Sequence, residues 1–384
     1  MPRVIYVLRA FPEPSETFVR NEIRALRRIG VPVSVFSGWP SSPPASDWTS
    51  GDEGATPVTI LSGRGAGTIP SPPIARVLAT DLVGLGPRRA LRAARLAGLA
   101  EIASRAIPGD ATLLHAHFAN DAATLARYVA VATRLPYRVT AHAYDIYQDP
   151  LLLDRNLRAA SRVLTVSEAN RTFLEGRLEG KAVELVRCGV DLGAFGYRDP
   201  DPPRVPAEVL CVARLVPKKG HAVLLDAIAA LRRDGVRVAL TLAGTGPLES
   251  ELRERAARAG LADGVRFAGQ LSHAAVREAM RRSDVVALAS RVAEDGDRDG
   301  VPVALVEAMA LGVPVVATSV SGIPELIVPG TGSCVGPDDP KALADAIRAT
   351  LSAGDESRVA QARAARGRVE ADFDMSRIVE RLRP

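Results

Sequence analysis

Short apolar runs alternate with stretches whose apolar positions recur every three or four residues, over nearly the whole chain. Val4–Leu8 is an unbroken apolar run, the pattern of a strand buried on both faces. Val19, Ile23, Leu26 and Ile29 then mark one helical face, closed by Gly30. Ser15 stands where it can cap this helix, with Glu16 in its first turn. Residues 31–37 read as the next strand. Residues 38–73 are rich in Pro, Gly and Ser with little periodicity, which predicts mainly a mobile loop. Helical spacing resumes over 74–106. Strands are predicted at 112–115, 137–140 and 162–166, with helices at 120–134, near 151–160, and after Ser167.

Arg198–Pro206 interrupts this rhythm with Pro200, Pro202, Pro203 and Pro206, which exclude helix and central strand. Strand–helix alternation then restarts, with strands at 208–213, 237–243, 265–268, 284–289 and 313–318. The pattern predicts an α/β protein of two domains, 1–200 and 201–384, each a Rossmann-like parallel sheet covered by helices. The two domains are expected to face each other across a cleft. The last helix is expected to pack back on the first domain.

Composition narrows the function. The chain has 384 residues, enough for two domains, and only 4% aromatic residues, which disfavours stacking platforms for nucleic acid. Cys188, Cys211 and Cys334 lie far apart without C-x-x-C spacing, so neither a disulfide framework nor a zinc site is expected. No apolar run is long enough for a membrane span, and the N-terminus lacks a signal-peptide layout. The expectation is a cytoplasmic protein. The net charge of +5 resides in the first half: residues 1–200 carry 24 basic and 19 acidic side chains, residues 201–384 carry 25 of each. An anionic membrane at its inner face, or an anionic lipid-linked acceptor, suits that half, as does a merely solvated arginine-rich surface.

The densest chemistry lies at Asp299–Ala310. Asp299 falls on a Gly/Pro loop and Glu307 about one turn into the following helix, with unpaired helix-start N–H groups between them. Such a place holds a phosphate on the N–H groups and hydroxyls on the carboxylates. Arg214 and Lys219 flank the start of the second domain's first helix, a second arrangement suited to a diphosphate.

These residues carry a resemblance. Glu307-Ala308-Met309-Ala310 runs into Gly312-Val313-Pro314-Val315-Val316-Ala317-Thr318, and is followed by Gly322-Ile323-Pro324-Glu325. Gly244-Thr245-Gly246-Pro247-Leu248 and Cys188-Gly189-Val190-Asp191 complete an ordered set. The chain resembles the retaining glycosyltransferases of the GT-B fold, family 4, and within them the enzymes of bacterial exopolysaccharide synthesis. The resemblance implies a nucleotide-sugar donor and a glycan or lipid-linked glycan acceptor, with no metal or other cofactor. It implies that Arg214 and Lys219 bind the donor diphosphate and that Glu307 bonds the ribose. Gly300, Val301, Pro302, Val303 and Ala304 would line the sugar–phosphate pocket, with Gly246 on the donor side and Gln270 near the base. Asp299 replaces the family's Glu that reaches the transferred sugar, and is one methylene shorter. Pro302 replaces a usual Gly and removes a donor.

In the first domain Ser15, Glu16 and Thr17 resemble the exopolysaccharide subgroup's helix start and are expected on the acceptor side, as are His117 and Asp145. His142 is expected near the donor sugar. His115 and His117 point the same way on a strand, but no metal is expected there. Asp295-Gly296-Asp297-Arg298-Asp299-Gly300 opens like a calcium loop, yet the twelfth position is Val306, so it is read instead as a flexible loop presenting Asp299. The expected activity is sugar transfer. The alternatives are a GT-B-like nucleotide-sugar epimerase and a non-catalytic nucleotide-sugar-binding module.

Overall fold

The computed structural model describes residues 2–13, 16–41, 56–62, 68–148 and 150–384. The chain divides into two compact units, Met1–Arg187 with Ser376–Pro384, and Cys188–Met375. The division precedes the proline run on which the sequence places it. Val190 and Phe195 are buried in the second unit's core, and the Arg198 amide donates to the Leu311 carbonyl at 3.2 Å, so residues 188–198 fold as part of the second unit.

The first unit holds strands β1 (Arg3–Phe11), β2 (Val33–Pro40), β3 (Val58–Ile60), β4 (Ala111–His117), β5 (Tyr137–Ala141), β6 (Arg162–Thr165) and β7 (Val183–Leu185). They form one parallel sheet in the order β3-β2-β1-β4-β5-β6-β7. Its helices are α1 (Thr17–Arg28), α2 (Pro72–Leu82), α3 (Pro87–Arg105), α4 (Asp121–Thr133), α5 (Tyr144–Tyr147), α6 (Leu153–Ala159) and α7 (Glu168–Leu178). Three expectations need correction. Within 38–73, read mainly as a loop, β3 pairs with β2 through Val35 and Val58, while residues 42–55 and 63–67 lie outside the described residues. The helical stretch 74–106 is two helices, because Gly84 takes a left-handed φ of 82° and Pro87 restarts the helix at its first turn. Glu16 is the N-cap residue of α1 rather than part of its first turn, while Ser15 lies outside the described residues.

The two faces of this sheet differ in kind. Ile5, Val7, Leu114, Ala116, Val139 and Ala141 belong to an apolar core with the inward residues of α3 and α4. On the other face, cross-strand neighbours Tyr6, His115, Arg138 and Arg162 make a polar row. Such a row is stable only if its members bond one another. The C-terminal segment helps: Arg138 donates to the carbonyls of Leu382 at 2.6 Å and Arg383 at 3.2 Å.

The second unit holds β8 (Ala207–Val212), β9 (Val238–Ala243), β10 (Val265–Gly269), β11 (Val285–Leu288), β12 (Val315–Thr318) and β13 (Ser333–Val335), a parallel sheet in the order β10-β9-β8-β11-β12-β13. Its helices are α8 (His221–Arg233), α9 (Glu249–Arg258), α10 (His273–Arg281), α11 (Val303–Leu311), α12 (Ile323–Leu326), α13 (Pro340–Ser352) and α14 (Asp355–Asp372), and α15 (Met375–Ile378) leads into the tail. Each sheet reverses its strand order once, between β1 and β4 and between β8 and β11. Ligands of open α/β sheets bind beyond the carboxyl ends of the strands at such a reversal. Among the described residues, no helix is long and apolar enough to cross a membrane.

Candidate functional site

At the reversal of the second sheet, Arg214 and Lys219 follow β8, and Ser290 and Asp299 follow β11. The loop after β8 is held by backbone contact with the loop after β9. A Cβ on Gly244 would lie 2.0 Å from the Ala213 carbonyl oxygen, and one on Gly246 2.3 Å from that of Leu215. The Leu215 amide donates to Thr245 at 2.9 Å. Gly246 therefore acts by letting the Arg214 loop approach. Gly220, at φ 60°, does the same on the other side: a Cβ there would lie 1.9 Å from the Ala289 carbonyl oxygen. No side chain fits, so the Lys219 backbone sits close against the end of β11.

Lys219 and Asp299 meet. The ammonium lies 2.8 Å from each carboxylate oxygen, and the Ser290 hydroxyl donates to Asp299 Oδ2 at 2.6 Å. Burial pushes the Asp299 carboxyl up, but Lys219, Lys218 and Ser290 outweigh it and hold its pKa below the usual value. Lys218 adds a second tie, 2.9 Å from Asp297. The Ala293 amide donates to the Asp297 carbonyl at 2.8 Å. The acidic run 295–300, expected to be flexible, is therefore pinned, because two lysines share its carboxylates. Arg214 contrasts with Lys219: it is exposed and makes no side-chain hydrogen bond or ion pair among the described residues.

α11 begins at Val303 with Pro302 as N-cap, so the N–H groups of Val303 and Ala304 lack helical acceptors. Gly300 and Val301 form the approach to this end. Glu307, the fifth residue of α11, is buried at 7% exposure. The helix is apolar all round and largely buried, which fixes its direction. Gln270 follows β10, two strands beyond β8 and about 10 Å away at ordinary strand spacing, and does not join the cluster.

In the first unit, β1, β4 and β5 end side by side, and their termini carry the expected residues. Thr17 opens α1, while His117 ends β4 and His142 follows β5. Asp145 accepts from the backbone amides of Ala119 and His142, the latter at 2.9 Å, so its carboxylate ties two strand ends together. Burial pushes its pKa up to about 6. Behind these lies a group that periodicity did not single out. The Tyr6 hydroxyl donates to Glu22, and Glu22 Oε1 lies 3.2 Å from His117 Nε2. His117 Nδ1 in turn lies 3.2 Å from His142 Nε2. Burial pushes the Glu22 carboxyl up, but His117, Tyr6 and Arg138 outweigh it and hold it below the usual range. Burial, with His117, holds His142 well below the ordinary histidine value, so its ring is neutral.

Glu22, His115 and His117 bring ligand-type atoms within 4.8 Å of one another, a spacing that could suit a metal. The hydrogen bonds oppose it. Arg138 can only donate, so His115 Nδ1 at 3.2 Å accepts, and His115 Nε2–H donates to the Thr140 hydroxyl at 2.8 Å. Both nitrogens are used, and a guanidinium sits where a cation's field would fall. A sequence signal for this group existed. Glu22 and Arg20 are charged residues set among the apolar positions Val19, Ile23 and Leu26 of α1, and both are buried.

Comparison with known proteins follows the same division. A family model described as glycosyl transferases group 1 matches residues 199–368, and one described as glycosyltransferase family 4 matches residues 15–194. The chain is 30% identical over 406 residues to the putative colanic acid biosynthesis glycosyltransferase WcaL of Escherichia coli, covering 99% of this chain and 98% of that protein. It is 36% identical over 208 residues to the amylovoran biosynthesis glycosyltransferase AmsK of Erwinia amylovora, covering 52% of this chain and 51% of that one. Among solved structures, sucrose-phosphate synthase from Thermosynechococcus elongatus matches with a TM-score of 0.75 at 21% identity, covering 100% of this chain and 97% of that one. Anabaena Alr3699/HepE in complex with UDP and glucose matches with a TM-score of 0.73 at 21% identity, covering 100% of this chain and 98% of that one.

Proposed function

The chain belongs to the family 4 glycosyltransferases, of GT-B fold with a group 1 transferase domain as its second half, and on that premise we propose how it works. The second unit binds a nucleotide-sugar and the first receives a glycan or lipid-linked glycan acceptor in exopolysaccharide synthesis. The observation that carries this reading is the Lys219–Asp299 pair at the β8/β11 reversal, where Arg214 stands on the loop after β8 and α11 starts on the segment after β11. The diphosphate lies on the N–H groups of Val303 and Ala304, with Lys219 on one side and Arg214 on the other. Glu307 bonds the ribose. Asp299 serves chiefly to fix Lys219, since both of its oxygens are already engaged there.

The same engagement disfavours Asp299 as a nucleophile, so transfer with retention runs by front-face substitution. The acceptor hydroxyl bonds to the anomeric carbon on the side the diphosphate leaves, and the departing phosphate takes the hydroxyl proton. Arg214, Lys219 and the helix start supply the positive charge that a metal would otherwise bring. The test is transfer by Glu307→Ala, assayed against a panel of UDP-, GDP- and ADP-sugars that also identifies the base. Loss of transfer with an intact fold is expected, and full activity would remove Glu307 from the site.

A lipid-linked acceptor would bring the first unit to a membrane. Support comes from α3, where Arg88, Leu91, Arg92 and Arg95 share one exposed stripe, with Leu91 and Val83 each 73% exposed. Arg92 is paired with Asp121 at 2.7 Å, and Asp81 is buried in ion pairs with Arg127 and Arg155, so Arg88 and Arg95 carry the positive charge of the stripe. Sedimentation with anionic vesicles should carry the protein down, and Val83→Asp with Leu91→Asp should leave it in solution. Equal sedimentation of both proteins would overturn membrane contact.

A further inference from the structure

We propose that Glu22 is a positioning residue which, through His117, sets the tautomer of His142 and leaves His142 Nδ1 as a hydrogen-bond acceptor for a substrate hydroxyl. The three residues sit on different elements, α1, the end of β4 and the segment after β5, and form one line of contacts. Glu22 Oε1 to His117 Nε2 and His117 Nδ1 to His142 Nε2 are each 3.2 Å. All three are buried, at 7%, 1% and 7% exposure, so water does not mediate the choice of proton positions.

The order of donors follows from the chemistry of each group. An ionised carboxylate only accepts, so the proton between Glu22 and His117 resides on Nε2. On this proposal His117 holds this one proton, so its Nδ1 carries a lone pair. The contact to His142 needs a donor, and His142 Nε2–H supplies it. A neutral imidazole has one N–H, so Nδ1 of His142 is left bare. That atom makes no hydrogen bond among the described residues. The Tyr6 hydroxyl donates to Glu22 as well and holds the carboxylate in place. Phe18 and Phe118 flank the His142 ring, with centroids at 4.7 Å and 4.6 Å, and fix its plane.

The consequence is selective. A bare nitrogen accepts from a sugar hydroxyl and orients its oxygen, and a protonated one would repel that same hydroxyl hydrogen. The arrangement rests on the reading that the first unit meets substrate, but the proton positions themselves are a property of the protein alone. The experiment therefore has two arms. Nitrogen-15 NMR of the unliganded full chain at neutral pH, labelled at histidine, should give His142 a pyridine-type Nδ1 and a pyrrole-type Nε2. Glu22→Gln, whose amide can donate to His117, should move a measurable share of His142 to the opposite tautomer. In the transfer assay Glu22→Gln should lower kcat roughly tenfold or more with donor KM within about threefold, and Glu22→Asp should recover part of the loss. A protonated Nδ1 in the parent protein overturns the proposal whatever the variants do. An unchanged kcat in folded Glu22→Gln overturns it as well. If no donor supports transfer by the parent, the functional reading fails while the spectrum still decides the relay.

Discussion

The two sheets end in chemistry of opposite construction. In the second unit the polar groups stand on loops pressed backbone to backbone, where Gly220, Gly244 and Gly246 leave no room for a Cβ. Arg214 remains exposed there, and the N–H groups at the start of α11 lack helical acceptors. In the first unit the polar groups lie under the strand ends, on one face of the sheet, and satisfy one another: Tyr6 with Glu22, Glu22 with His117, His117 with His142. On the proposed reading the second unit's site takes a highly charged ligand. The other spends its hydrogen bonds on orienting a few atoms. On that reading the difference suits the strong, diffuse charge of a donor diphosphate at one site and sugar hydroxyls at the other.

The comparison breaks most visibly at the Lys219–Asp299 pair. Asp299→Ala leaves the Lys219 ammonium, its side chain only 14% exposed, without its partner, and should destabilise the second unit by about 3 kcal/mol in denaturant melts. An unchanged midpoint would mean that the pair is not what holds the loop. Next comes Arg214→Ala, which removes an exposed group with no structural partner. Transfer should fall about 10²–10³-fold, about 3 kcal/mol in barrier, while the thermal midpoint stays put. A large drop in stability instead would give Arg214 a structural role and erase the contrast with Lys219.

Asp145 sharpens the first-unit side. Its folded pKa of about 6 lies above the unfolded carboxylate value. Its contribution to stability is therefore fully present below about pH 4 and is lost as pH rises through about 6, roughly 2–3 kcal/mol in total. Asp145→Asn lacks this titration, so the stability of the parent relative to the variant should decline between those pH values. Parallel curves would show that Asp145 is not buried as described. Gln270→Ala is the smallest expected change: outside the cluster, it should leave kcat within about threefold, and a larger loss would extend the donor site across β9 to β10.

Legibility followed the same contrast. Around Arg214, Lys219, Asp299 and Glu307 the chemistry is local in sequence: each residue lies within a few positions of a glycine or proline that shapes its loop, so the motif could be read directly. Tyr6, Glu22, His117 and Arg138 come from four separate elements, and their partnership exists only through strand register. Periodicity marked Val19, Ile23 and Leu26 as inward but is silent about a buried acid between them. Lys218 and Lys219 are chemically identical neighbours, and only the turn decides which meets Asp297 and which Asp299. Short strands were lost for a simpler reason: three residues such as Val58–Ile60 are too few to show a period amid Pro, Gly and Ser.

The claim that the second unit carries a preformed diphosphate site is tested most directly by calorimetric titration of nucleoside diphosphates into the parent chain and into Arg214→Ala. One saturable site is predicted in the parent, with affinity at least about tenfold weaker in the variant at an unchanged thermal midpoint of the free proteins. Equal affinities in the two proteins would contradict the account.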